Sequence, residues 1–311
     1  MEPKEFARLE NECQSRFLEA GSCFHICSQE NHPVLFHNEE EFKAAMNAVA
    51  FAALLFPDVR IFTFVIMDNH FHFAIAGEKS EIKLLLRALV NKLASLPSLA
   101  VARNDIRKLD FKFFDIGSLD NMRNVVAYIN RNGAVVNPNE SVYTYKWGAN
   151  RFFFNTEAKL RFKSCGIKLT CREKRAIFQS NKLERNDKVV ALDGYVSPLC
   201  FCCVMGTESF FRNSRDYFYC VSRNIESSKD VAKMIGEKIF YSDEDLFIYV
   251  RAACSKEYGI RTVSMLPNTA KIELAKRLHF DFNAGNKQIS RLLKMDLPIV
   301  SELFPSPDGI H

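Results

Sequence analysis

The sequence predicts an α+β protein: one antiparallel sheet with covering helices, followed by a mainly helical C-terminal region. Three observations predict it. Across residues 24–114 the segments follow in the order strand, helix, strand, strand, helix, strand. A further amphipathic helix comes next at 119–131, and beyond residue 188 the pattern turns mainly helical. Such an order suits a single sheet layered with helices, a ferredoxin-like arrangement.

Each element has a local cause. Residues 24–28 form the first strand after a polar N-terminal segment. Residues 39–56 form a helix: Glu39, Glu40 and Glu41 complement the positive end of its first turn, the body is Ala-rich, and Pro57 stops it. Strands at 60–66 and 70–76 are joined by Met67, Asp68 and Asn69. The helix at 81–96 carries Leu84, Leu85, Ala88, Leu89 and Leu96 on its apolar side. Residues 111–114 make a fourth strand. The helix at 119–131 is expected to stop at Asn132-Gly133, because glycine readily adopts the left-handed C-terminal conformation. An aromatic cluster at 143–154 closes this region, and later helices are expected near 226–237, 243–257 and 269–280.

Composition narrows the function classes. The chain has 311 residues, 48% hydrophobic and 25% charged, enough to bury a substantial core. Its longest apolar stretch, 44–56, falls short of the roughly 18 residues of a membrane span. No apolar run follows Met1-Glu2-Pro3-Lys4-Glu5, so the expected location is cytoplasmic. The ten cysteines then read as reduced thiols, and the one Cys-x-x-Cys spacing, Cys200 to Cys203, lacks partners for a four-ligand zinc site. No Gly-x-Ser-x-Gly, P-loop or Rossmann glycine pattern occurs.

The net charge of +5 is unevenly spread. Residues 1–155 hold 17 Lys and Arg against 18 acids, while 156–311 hold 25 against 19. The stretch 157–188 alone has ten basic residues against four acids. Such a segment can track a phosphate backbone, or simply present a solvated face.

The sharpest chemical feature is His70-Phe71-His72. Strand alternation puts His70, His72, Ala74 and Ala76 on one face, with open space beside the imidazoles, and Phe71, Phe73 and Ile75 on the core face. Two histidines at i, i+2 can ligate one divalent cation, although the same pair also occurs on solvated strand faces. In the 119–131 helix, Met122, Val125, Val126 and Ile129 form the buried stripe. Tyr128 lies off its centre, and Asn132 follows one turn later on the same side. A tyrosine hydroxyl can attack phosphorus and hold a covalent intermediate, assisted by a metal that neutralises the phosphate. Taken alone, Tyr128 could equally be a helix-packing tyrosine.

Met67-Asp68-Asn69-His70-Phe71-His72-Phe73, followed by Tyr128-Ile129-Asn130-Arg131-Asn132, resembles the one-tyrosine HUH transposases, which include the insertion-sequence-200-like and REP-associated tyrosine transposases. The resemblance covers residues 20–155, including Tyr145-Lys146-Trp147-Gly148. It implies that His70 and His72 hold Mg²⁺ or Mn²⁺ with Asn132 as third ligand. It also implies that Tyr128 is the nucleophile, leaving a 5′-phosphotyrosine link and a free 3′-OH. The implied substrate is single-stranded or hairpin DNA; such enzymes include dimers and apparent monomers, and of the two a homodimer is the expected assembly. On this reading residues 1–155 are the catalytic domain, 156–188 a basic linker and 189–311 the helical region.

Residues 268–305 resemble a helix-turn-helix, with helices at 286–293 and 298–303 around a short break. The same segment also suits a small helical packing module. The expected nucleic-acid contacts are Arg131, Lys159, Arg161, Lys163, Lys287 and Arg291. Two other readings use the same residues: a non-catalytic binder of hairpin or single-stranded nucleic acid, and a metal hydrolase acting through an activated water without Tyr128.

Overall fold

The computed structural model describes residues 3–28, 33–136, 141–223, 231, 241, 243–260 and 262–305. Its contacts divide into two units, Met1–Gly133 with Glu140–Val231, and Ala134–Asn139 with Ala232–His311.

In the first unit, α1 (Pro3–Glu19) leads into β1 (Cys23–Ser28), and α2 (Glu39–Leu55) connects it to β2 (Arg60–Ile66). A tight turn leads to β3 (Phe71–Ala76), and α3 (Lys79–Ser95) and the short α4 (Arg103–Arg107) precede β4 (Phe111–Asp115). The four strands form one antiparallel sheet in the order β2-β3-β1-β4, the ferredoxin-like order expected from the sequence. Helix α2 starts where expected because the Asn38 side chain accepts a hydrogen bond from the Glu41 backbone N–H at 3.0 Å. Phe64, Phe71, Phe73 and Ile75 are fully buried, and Phe36, just before α2, meets Phe71 edge-on at 5.7 Å. Strand β3 begins at Phe71, so His70 sits in the turn rather than in the strand.

The opposite face of the sheet is covered by α5 (Leu119–Val136), which runs past the expected stop at Asn132-Gly133. Gly133 serves close packing rather than chain reversal. A Cβ there would lie 2.2 Å from Cδ1 of Tyr145, so only glycine admits the ring. Tyr145 then donates to the Ile66 carbonyl at 2.6 Å, and the Ile66 N–H donates to the Trp147 carbonyl at 2.8 Å. Trp147 stacks on Phe42 of α2 at 5.0 Å. Residues 145–148 thus line the outer edge of β2, which would otherwise expose unpaired backbone groups.

Residues 156–188 are not an extended linker. They form α6 (Thr156–Cys165), β5 (Ile167–Lys168) and α7 (Cys171–Phe178). Strand β5 pairs with β6 (Val190–Leu192), which pairs with β7 (Tyr195–Val196) in a small second sheet. Then α8 (Val204–Glu208) and α9 (Ser214–Arg223) complete the unit. Thr207 of α8 donates to the Phe62 carbonyl at 3.0 Å, and buried Tyr217 of α9 accepts from Asn130 at 2.9 Å. The expected boundaries at 155 and 188 therefore give way to one near residue 231.

The second unit contains α10 (Asp243–Glu257), α11 (Asn268–Phe280), α12 (Asn286–Leu293) and α13 (Leu297–Leu303), packed around Leu246, Val250, Leu274, Leu278, Ile289 and Leu293. The helices expected at 243–257, 269–280, 286–293 and 298–303 are present within a residue. The one expected at 226–237 lies, Val231 apart, outside the described residues. All ten cysteines are free thiols. Among the described residues no helix is long and apolar enough to cross a membrane.

Candidate functional site

The turn between β2 and β3 fixes the first histidine. The Met67 N–H donates to the His70 carbonyl at 2.8 Å, and the Leu35 and Phe36 N–H groups bind the Asp68 carbonyl at 2.7 and 3.0 Å. His70 Nδ1 lies 2.6 Å from Asn69 Oδ1. Asn69 accepts the Nδ1 proton, which leaves the lone pair on Nε2. His72, two residues on, is completely buried, and its ring meets that of His70 edge-on at 4.9 Å. Neither histidine lies on a solvated face.

The amphipathic stripe of α5 brings the other two groups to them. Met122, Val125, Val126 and Ile129 are buried to within 1%, and this orients half-buried Tyr128 toward the histidines. The Tyr128 ring centroid is 5.6 Å from that of His72, edge-on. One turn later, the Asn132 amide nitrogen is 3.1 Å from His72 Nε2. His70, His72, Tyr128 and Asn132 therefore meet, although Asn132 and His72 are 60 positions apart.

The space expected to be open beside the histidines is occupied by His25, a residue the sequence reading missed. In the β1–β3 register Cys27 faces His72 and His25 faces Ala74. The small Ala74 leaves room for the His25 ring to stack against that of His72 at 5.5 Å, with Nε2 3.3 Å from His72 Nδ1. A signal was present: a histidine within a short apolar run, in the strand that sheet order places next to His72.

All three imidazoles are held neutral. Burial pushes His25 down to about 3 and His70 down to about 4. His72 also lies well below the usual histidine range, through burial first and then the neighbouring His70 and His25. Neutral imidazoles are the form that binds metal.

Among the described residues, no group of three or more His, Cys, Asp or Glu side chains is placed to hold a metal ion. A cation beside these residues would have two imidazoles and an amide to hold it. Neighbouring ligands of an octahedral ion bound at ~2.1 Å lie about 3 Å apart. The Asn132 amide and His72 Nε2 meet that spacing, once a half-turn of the amide presents its oxygen. The nitrogen donors favour Mn²⁺ over Mg²⁺.

The residues expected to contact nucleic acid divide into two groups. Lys159 pairs with Glu208 at 2.5 Å, Arg161 with Asp193 at 2.6 Å, and Arg291 with Asp243 through two hydrogen bonds of 3.0 and 3.3 Å. All three are held in ion pairs, although Arg161 and Arg291 are also exposed. Lys163 and Lys287 are exposed, and Arg131 is half-buried beside Asn132. Comparison of the chain with models of known families, with curated proteins and with solved structures finds no match.

Proposed function

We propose that this chain cleaves and rejoins single-stranded or hairpin DNA as a metal-dependent tyrosine enzyme of the one-tyrosine HUH type, in transposition or in a role derived from it. The observation that supports this reading is the meeting of His70, His72, Tyr128 and Asn132 on one face of the sheet.

The Tyr128 oxygen attacks the phosphorus of a backbone phosphodiester and forms a new O–P bond. The bond from phosphorus to the 3′-oxygen breaks, and the phenol proton ends on that departing oxygen. The products are a 5′-phosphotyrosine link and a free 3′-OH. When another 3′-OH attacks the same phosphorus, the steps run in reverse and a new strand is joined. A divalent cation, when bound, polarises the phosphate and offsets charge on its oxygens. His70 and His72 would hold that cation through neutral nitrogens, and Asn132 through its amide once turned to present the oxygen. Exposed cations on the 157–188 segment, Lys163 and Arg172 among them, guide the phosphate backbone.

The test is incubation of the full chain with Mn²⁺ and single-stranded DNA from the flanks of its gene, followed by a denaturing gel. A covalent protein–DNA band that disappears in Tyr128→Phe supports the reading. Salt-dependent binding with no such band identifies a non-catalytic binder. Cleavage that survives Tyr128→Phe identifies a hydrolase using activated water.

A further inference from the structure

We infer that His25 is a positioning residue: it holds His72 in the tautomer whose Nε2 lone pair faces Asn132. The inference rests on the proposed metal-binding role of His72. Its geometry comes from the pairing of β1 with β3, which sets His25 Nε2 3.3 Å from His72 Nδ1.

A neutral imidazole has one N–H and one lone pair, so a hydrogen bond between two such rings couples their tautomers. If His25 Nε2 carries the lone pair, it accepts from His72 Nδ1–H, and His72 Nε2 is left bare. If His25 Nε2 carries the proton, His72 Nδ1 must accept it. The His72 proton then moves to Nε2, and the ring cannot ligate. With the Asn132 amide nitrogen placed 3.1 Å from His72 Nε2, where it can only donate, the first arrangement is the one in which both contacts of His72 are hydrogen bonds, and it requires His25 Nε2 as the acceptor. His72 Nε2 therefore accepts, His72 Nδ1 donates, and His25 Nε2 accepts. The remaining His25 proton sits on Nδ1.

That nitrogen is buried and has no hydrogen-bond partner among the described residues. A buried polar group left unsatisfied costs roughly 1–3 kcal/mol. The rings that meet that of His25 include Phe114, Tyr128 and His72, with Ala74 opposite on β3. A leucine would fill such surroundings without an orphaned N–H. The imidazole thus works against stability at this position and in favour of orienting its neighbour. Hydrogen bonds of this outer kind fix the ring orientation and tautomer of metal-binding histidines, and their loss typically weakens metal affinity about 10- to 100-fold.

The experiment uses the full chain, labelled with ¹⁵N-histidine, as wild type, His25→Leu and His25→Gln. Imidazole ¹⁵N spectra without metal report the His72 tautomer, and calorimetric titration with Mn²⁺ reports affinity. The wild type is expected to show His72 protonated at Nδ1. In His25→Leu the two tautomers mix, Mn²⁺ affinity falls about 10- to 100-fold, and the melting temperature does not fall. In His25→Gln, whose carbonyl can accept the same proton, most of the affinity returns.

The inference is overturned if wild-type His72 carries its proton on Nε2, if folded His25→Leu binds Mn²⁺ like the wild type, or if His25→Gln is as weak as the leucine variant. Should the leucine variant fail to fold, the wild-type spectrum and the glutamine variant decide. A wild type that binds no Mn²⁺ defeats the proposed metal site, and the metal-free spectrum still judges the tautomer.

Discussion

The Asn132 amide lies 3.1 Å from Nε2 of His72, a meeting of a helix and a strand that are remote in the chain. Under the proposed function a shared cation would be held beside this contact. Asn132→Ala is expected to weaken Mn²⁺ binding about tenfold or more, as loss of a ligand-shell group does. Asn132→Asp, which offers a charged oxygen at the same reach, is expected to bind at least as tightly as the wild type. Calorimetric titration compares the three. Equal affinity in the alanine variant would remove Asn132 from the site.

Stability should depend on acidity in a particular direction. The folded-state values of His25 and His70, about 3 and about 4, lie below the ordinary 6.5, and His72 is lowered as well. Between pH 6.5 and about 4 the unfolded chain therefore takes up protons that the folded chain refuses. Stability is complete above this window and falls as pH drops through it, each histidine contributing a slope approaching about 1.4 kcal/mol per pH unit. Denaturation midpoints of the metal-free protein at pH 7.5 and pH 5 check this. A midpoint at pH 5 as high as at pH 7.5 would contradict it.

Asn130 ties the sheet to the segment around α9. It accepts from Thr63 at 2.5 Å and donates to Tyr217 at 2.9 Å, and all three residues are buried. Asn130→Ala strands two hydroxyls in the core and is expected to cost about 2–4 kcal/mol. Urea denaturation measures it. A loss below about 0.5 kcal/mol, typical of a surface site, would mean that this network is not made.

Gly133 inverts the usual helix rule. Gly to Ala in a helix interior ordinarily stabilises by about 1 kcal/mol. Here the added methyl would collide with the Tyr145 ring. Gly133→Ala is expected to destabilise by about 1–3 kcal/mol, and less so when Tyr145 is replaced by leucine. Thermal melts of the single and double variants distinguish the two cases.

The basic residues should also separate by role. Lys163→Glu, at an exposed position, is expected to weaken single-stranded DNA binding and to flatten its salt dependence by about one charge. Lys159→Ala and Arg161→Ala break ion pairs with Glu208 and Asp193. They should act more on stability than on the salt slope. Fluorescence anisotropy across a salt series, alongside melts, checks both.

Much of the fold was legible because its causes are local. Three acids and Pro57 bracket α2, and two apolar runs on either side of Met67-Asp68-Asn69 mark β2 and β3, so these elements lie within a residue or two of expectation. Gly133 misled because a glycine that ends a helix and a glycine that admits a ring are the same letter. The extent of the first unit was hidden for a related reason. Thr207 and Tyr217 bond to Phe62 and Asn130 across 145 and 87 positions, and no local period encodes such pairings.

Taken by itself, the chain determined which chemical groups each segment would carry: paired imidazoles where the β2–β3 turn enters β3, and a phenol and an amide one turn apart on α5. Backbone period fixes those relations within a few residues, so they can be read without coordinates. Only the tertiary structure decided that these groups meet, and that His25 stands behind His72. Strand register and helix docking are set by burying apolar faces contributed by distant segments, and this collective choice is made when the chain packs.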